Sequence, residues 1–302
     1  MKGFGEKAKP KKKLNYELNK IQYQQIVKQA FNYHSTGNIF EAKKYYQYLI
    51  KEGFQDADVF NNYGVILKEQ DQYSEAGLYF RKSIEINPKD DKSQANLGGI
   101  LKELGQYQEA ELFIRKAISL NPKNALAYSN LGIILMKLGF LKEAEISLRK
   151  AIELNPDLAE AHFKLAFLLV ATEKRLQEAK SSACKAIKLN PKSNDAHFAL
   201  GVVLKELGEL KEAELSIKKA IEIDPNIADY YQILSLLNYG KGDRSEALKN
   251  IKKANTIDSL SLNNQLLLTI LSKSTDINTN YSTERKVAPL SLNKNEYNDY
   301  PI

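Results

Sequence analysis

The sequence predicts an all-α array of stacked helix-turn-helix units closed by a C-terminal capping helix. Three observations carry this. Pro88, Pro122, Pro156, Pro191 and Pro225 punctuate the chain at intervals of 34, 34, 35 and 34 residues. Between them, small and large residues return at the same places, the signature of an array and not of an ordinary globule. Within each period, apolar residues recur at helical spacing in two stretches.

The elements follow in order when units are aligned from Ala57, Asp91, Ala125, Ala159, Asn194 and Ala228. Places 4, 7, 8 and 11 form one face of a first helix. Place 7 holds Tyr63, Leu97, Leu131, Leu165, Leu200 and Leu234, and place 8 holds Gly64, Gly98, Gly132, Ala166, Gly201 and Ser235. Small residues at place 8 let two helix axes approach toward the short end of about 8–10 Å. Gly105, Gly139 and Gly208 fit the following turn, where a positive φ costs glycine nothing. Places 20, 24 and 27 form the face of a second helix, with alanine at place 20 in all six units (Ala76, Ala110, Ala144, Ala179, Ala213, Ala247). One inserted residue shifts Ala179. An Asn-Pro or Asp-Pro pair ends the second helix, because the residue before proline avoids the α region.

These residues resemble the tetratricopeptide repeat (TPR) pattern, as in Leu131-Gly132, Gly139, Ala144, Ala151 and Pro156. The tryptophan that the family places at position 4 is replaced by Phe60, Gln94, Tyr128, His162, His197 and Tyr231. The resemblance implies a right-handed superhelix (α-solenoid) of seven units, at residues 23–56, 57–90, 91–124, 125–158, 159–193, 194–227 and 228–260. Gly37, Ala42 and Tyr46 mark the degenerate first unit. A basic flexible arm is expected over 1–15, the array over 16–260, a capping helix over 261–273 and a flexible tail over 274–302. In the cap, Leu262, Leu266, Leu267, Ile270 and Leu271 are expected to make one buried stripe, since a stack's end needs a polar outer side.

Charge sets limits on partners. Six lysines between Lys2 and Lys13 against Glu6 give +5 over thirteen residues, whereas the other 289 carry only +2 of the total of +7. The high isoelectric point therefore belongs to an arm and not to a basic body, and nucleic acid is not the expected partner. A single cysteine, Cys184, points to a reducing compartment. No stretch reaches about 18 continuous apolar residues, and no signal-peptide run opens the chain. A cytoplasmic protein without a membrane span is expected.

Chemistry is sparse. With three histidines, one cysteine and no metal-ligand spacing, no catalytic residue, metal or cofactor is expected. His162 and His197 share place 4, a packing position. Gly98-Gly99 lies inside a repeating helix, which excludes a phosphate loop. The chain reads as a non-enzyme with a protein or peptide partner and no small-molecule substrate.

In TPR arrays the first helices line a concave groove. Opposite the buried stripe, place 6 reads Asn62, Asn96 and Asn130, a row similar to the asparagine ladder in the TPR groove of O-linked N-acetylglucosamine transferases. Each carboxamide offers an acceptor and two donors, matching the backbone of an extended peptide. Val65, Ile133, Phe167 and Val202 at place 9, with Lys68, Lys102 and Lys205 at place 12, complete the expected contact set. The lysine-and-asparagine clamp of chaperone-binding TPR domains is absent, since places 5 and 9 hold Asn61 with Val65, Ala95 with Gly99, and Ser129 with Ile133. Two functions stay open: a protein-interaction scaffold, or the substrate-selecting or regulatory module of a glycosyl-, sulfo- or methyltransferase system. Bacterial TPR arrays similar to this one often precede such transferase domains.

Overall fold

The computed structural model describes residues 11–172 and 175–273, with side chains from residue 22 to 272. The first ten residues of the expected arm and the expected tail from 274 lie outside the described residues. All elements among the described residues are helices, in two compact units divided after Lys123.

The first unit holds three helix pairs: α1 (Lys11–Ser35) with α2 (Ile39–Lys51), α3 (Ala57–Glu69) with α4 (Tyr73–Ile86), and α5 (Asp91–Glu103) with α6 (Tyr107–Leu120). The second holds α7 (Ala125–Lys137) with α8 (Leu141–Leu154), α9 (Ala159–Ala171) with α10 (Leu176–Leu189), α11 (Asn194–Glu206) with α12 (Leu210–Ile223), and α13 (Ala228–Gly240) with α14 (Arg244–Ile257). The last helix, α15 (Leu262–Lys273), packs on α14.

Helix α1 starts well before Tyr23, where the sequence places the first unit, and takes in Lys11, Lys12 and Lys13. Nothing between Lys11 and Ser35 breaks a helix: the run contains no proline or glycine and is rich in Lys and Gln. The extra residue of the 35-residue interval falls between α9 and α10, joined by residues 172–175 where α5 and α6 are joined by 104–106.

Place 8 sets the spacing inside a pair. A Cβ added to Gly98 would stand 2.5 Å from Ile114 Cγ1 and 3.2 Å from the Ala110 carbonyl oxygen, so only glycine fits between α5 and α6. Where place 8 holds Ala166, its counterpart on α10 shrinks to Ala183, and both are fully buried. The added methyl on one helix is met by a smaller side chain on the other, which avoids overlap. In α13, Ser235 takes the place and donates its hydroxyl to the Ala247 carbonyl at 2.7 Å.

Caps and turns follow local chemistry. Asp56, Asp90, Asn124 and Ser193 each accept from a backbone N–H three residues on, starting α3, α5, α7 and α11. Asn87, Asn121, Asn155, Asn190 and Asp224 leave the α region ahead of their prolines. Gly105 takes φ +72 in its turn, and Asp71 holds the equivalent left-handed place at φ 57.

The cap differs from expectation. Leu267 and Leu271 are buried with Ala228, Ala247, Ile251 and Ala254, but Leu262, Leu266 and Ile270 face outward. The five aliphatic residues span half the helix circumference at about 100° per residue, more than one contact face can cover. Asn264, 2% exposed, lies on the buried side, and Arg244 Nε donates to the Leu271 carbonyl at 3.1 Å.

Candidate functional site

The expected contact residues fall into two sets, one in each unit. In the first unit, Asn62, Val65 and Lys68 lie on α3, and Asn96 and Lys102 on α5. Asn62, Asn96 and Val65 are half-buried and Lys68 is exposed. Asn96 Nδ2 donates to Asn61 Oδ1 at 2.9 Å, which ties α5 to α3 across consecutive repeats. Asn61 Oδ1 also accepts from Ser93 Oγ at 3.2 Å, and Ser93 Oγ lies 2.8 Å from Ser83 Oγ, whose hydroxyl donates to the Ala57 carbonyl. The asparagines thus belong to a polar seam joining the repeats.

Asn62, at the same place of α3, reaches back to the Tyr46 hydroxyl of α2. Burial pushes the Tyr46 phenol far above its ordinary range, and the hydrogen bond with Asn62 opposes that rise. Tyr46 is fully buried, and His34 Nδ1 lies 3.3 Å from its hydroxyl. Lys102 is largely covered, 12% exposed, with its ammonium 3.1 Å from Glu103 Oε1.

In the second unit, Asn130 and Ile133 lie on α7, Phe167 on α9, and Val202 and Lys205 on α11. Asn130, Phe167 and Lys205 are half-buried, whereas Ile133 and Val202 are 1% and 3% exposed. Those two pack into the array and leave no surface for a ligand. The Phe167 ring lies 5.7 Å from that of Phe198, which lies 4.8 Å from that of Tyr230, an aromatic file along α9, α11 and α13. Lys205 pairs with its neighbour Glu206 at 2.6 Å.

Lys164 lies outside the expected contact set. It occupies place 6 beyond the asparagines, is 4% exposed, and sets its ammonium 4.9 Å from the centre of the Phe163 ring. Asp195 stands nearby on α11. Burial raises its carboxyl above the usual range, Lys164 opposes that, and Glu160 and Asp224 add to it. A lone lysine amid the apolar run from Ala161 to Val170 was the available signal.

The mixed-charge face of the second helices also acquires a role. Arg81 bonds Glu109 at 2.8 Å, Arg149 bonds Glu178 at 2.6 Å and Lys180 bonds Glu209 at 2.6 Å, each linking one repeat to the next. Burial works to raise the Glu145 carboxyl, but hydrogen bonds from Arg175 and Arg149 overcome it and hold the carboxyl below its usual value. A cleft of about 340 Å³ opens beside this network, lined by Arg149, Ile152, His162 and Glu178 among others.

His162 is tied down structurally: its Nε2 lies 2.9 Å from the Pro156 carbonyl oxygen. Among the described residues, no three His, Cys, Asp or Glu side chains cluster to hold a metal ion. Nor is any described helix long and apolar enough to cross a membrane.

Tetratricopeptide repeat profiles match residues 57–90, 79–111, 125–158, 159–193 and 194–227, and a TPR repeat profile matches 98–139. No curated protein matches the chain. Solved structures do. That of the APC/C hetero-tetramer Cut9-Hcn1 superposes with a TM-score of 0.72 at 18% identity, over 80% of this chain and 48% of that one. The present chain thus spans about half the length of that relative. A tetratricopeptide repeat protein from Parabacteroides merdae gives a TM-score of 0.61 at 18% identity, over 83% of this chain and 98% of that one. Pseudomonas aeruginosa pilF gives 0.59 at 20% identity, over 71% and 97%. At such identities the likeness is one of fold. With repeat profiles running unbroken from residue 57 to residue 227, more than half of its length, the chain belongs to the tetratricopeptide repeat family.

Proposed function

We propose that the protein is a non-catalytic scaffold that holds a partner protein through an extended, largely uncharged peptide. The peptide lies across the first helices on the side away from their second-helix partners. The observation that carries this reading is the pair Asn62 and Asn96, half-open to solvent one repeat apart on helices that touch through the Asn96–Asn61 bond. Neighbouring helix axes lie about 8–10 Å apart, and an extended peptide advances about 3.3 Å per residue. One carboxamide per repeat therefore meets every third peptide residue, and each has capacity beyond the bonds it makes within the chain.

Two amide contacts at about 1 kcal/mol each give millimolar binding or weaker, so apolar contacts at Val65 must add to them. In the second unit, Asn130, Phe167 and Lys205 offer surface of the same kind, and buried Ile133 and Val202 support it from beneath. A fluorescence-polarisation screen of labelled decapeptides, uncharged, acidic and basic, tests the reading. Uncharged peptides should bind best and lose at least fivefold in affinity to the Asn62→Ala/Asn96→Ala variant. Equal binding by a variant that keeps its helical signal would exclude the site.

A further inference from the structure

The last helix carries an aliphatic face that nothing among the described residues covers. Leu262, Leu266 and Ile270 recur every four residues along one side of α15 and are 78%, 60% and 46% exposed. Register explains why. Counting one repeat on from Ala228 puts Leu266 at place 5 and Ile270 at place 9. At those places in α7, α9 and α11, Ile133, Phe163, Phe198 and Val202 are buried and Phe167 is half-buried. There the first helix of the following unit lies alongside, as the Phe167–Phe198 contact shows. No helix follows α15 among the described residues, so the register that buries a side chain upstream leaves it in water here. An array's end should be polar outside; this one is apolar.

We propose that residues 287–292, Val-Ala-Pro-Leu-Ser-Leu, dock on this face and complete the cap. Reach permits it. Residues 274–286 make a thirteen-residue connection that spans at most about 45 Å, and α15 is about 18 Å long. Spacing matches too: Leu266 and Ile270 are about 6 Å apart along the helix, and Leu290 and Leu292 on one side of an extended segment are about 7 Å apart. Charge raises no obstacle, because the segment is uncharged and the aliphatic face is flanked by Asn263, Gln265 and Thr269.

Area argues for this occupant over a second copy of the chain. A stable two-chain interface takes roughly 20–30 residues a side, and α15 has 12 in all. A tethered segment acts at an effective concentration in the millimolar range, so a small contact suffices. The inference stands apart from the peptide site on α3 and α5.

Hydrogen exchange of the full chain, read by mass spectrometry, tests it. In the Leu290→Asp/Leu292→Asp variant, the amides of 263–271 should exchange roughly tenfold faster while those of α13 and α14 are unchanged. Reciprocally, Leu266→Ser/Ile270→Ser should speed exchange of 287–292; both residues are exposed, so the array keeps its fold, which circular dichroism verifies. Unchanged exchange in both variants overturns the proposal. So does protection of α15 that rises with protein concentration alongside a dimer in sedimentation, which would assign the face to a second copy.

Discussion

His162 Nε2 lies 2.9 Å from the carbonyl oxygen of Pro156, six residues earlier. A carbonyl only accepts, so the ring nitrogen carries the hydrogen. The same tie recurs at place 4 with other chemistry: Gln94 to Pro88, His197 to Pro191, Tyr231 to Pro225, and Gln265 to Ser259 in the cap. Place 4 locks the turn that closes one unit to the helix that opens the next. Residues as different as Gln, His and Tyr interchange in these units because each carries a donor that reaches the same carbonyl, whereas Phe60 at place 4 of α3 carries none.

The lock gives a first prediction. His162→Phe keeps the ring but loses the donor, and should cost about 1 kcal/mol in urea denaturation. His162→Gln, copying Gln94, should recover most of it. If both variants cost the same, packing and not the hydrogen bond holds place 4.

The Asn96–Asn61 bond gives a second. Asn96→Ala removes a hydrogen bond between repeats and should cost about 1 kcal/mol. Asn61→Ala also empties a buried place in the seam, where the Ser93 hydroxyl keeps Asp90 Oδ2 as its acceptor, and should cost more, about 2 kcal/mol. Stability of the two variants, compared by the same denaturation, checks the order.

Much of the architecture could be read in the residues, and the reasons it could not be read further are specific. Helix pairs follow from place 8, place 20 and the prolines, each of which acts within one unit. Contacts between units are harder to see. A single helix seen in projection assigns Ile133 and Val202 to open surface, because it counts only the second helix of the same unit. In the array both side chains are buried, at 1% and 3% exposure. Leu262, Leu266 and Ile270 show the converse error: among the described residues no following helix covers what the pattern buries. The place-4 tie was hidden because its acceptor is a backbone carbonyl, which no side-chain pattern records.

Packing at place 8 gives a third prediction. Gly98→Ala puts a Cβ 2.5 Å from Ile114 Cγ1 and should destabilise by about 1–3 kcal/mol. Adding Ile114→Ala reproduces the natural Ala166–Ala183 pairing of α9 and α10, so the double variant should be less destabilised than the sum of its parts. A double-mutant cycle measures the coupling. Strict additivity would show that the two side chains do not compete for one space.

The Glu145 network gives a pH dependence with a definite sign. Arg175 and Arg149 hold the Glu145 carboxyl below its ordinary value of 4.5 in the folded chain, against the pull of burial. A carboxyl with a lowered folded pKa stabilises fully above the unfolded value, and that contribution disappears as pH falls through the folded one. Glu145→Gln should therefore lower the melting temperature at pH 7, and the gap to the unaltered chain should close as pH drops below about 4.5. Asp195 works in the opposite sense: burial raises its folded pKa, so its penalty is lifted as pH falls. Asp195→Asn should thus be least destabilising, or most stabilising, at neutral pH and lose that advantage in acid. Melting curves from pH 3 to 7 for both variants separate the two signs, and parallel curves for Glu145→Gln would show that its guanidinium partners add nothing to folding.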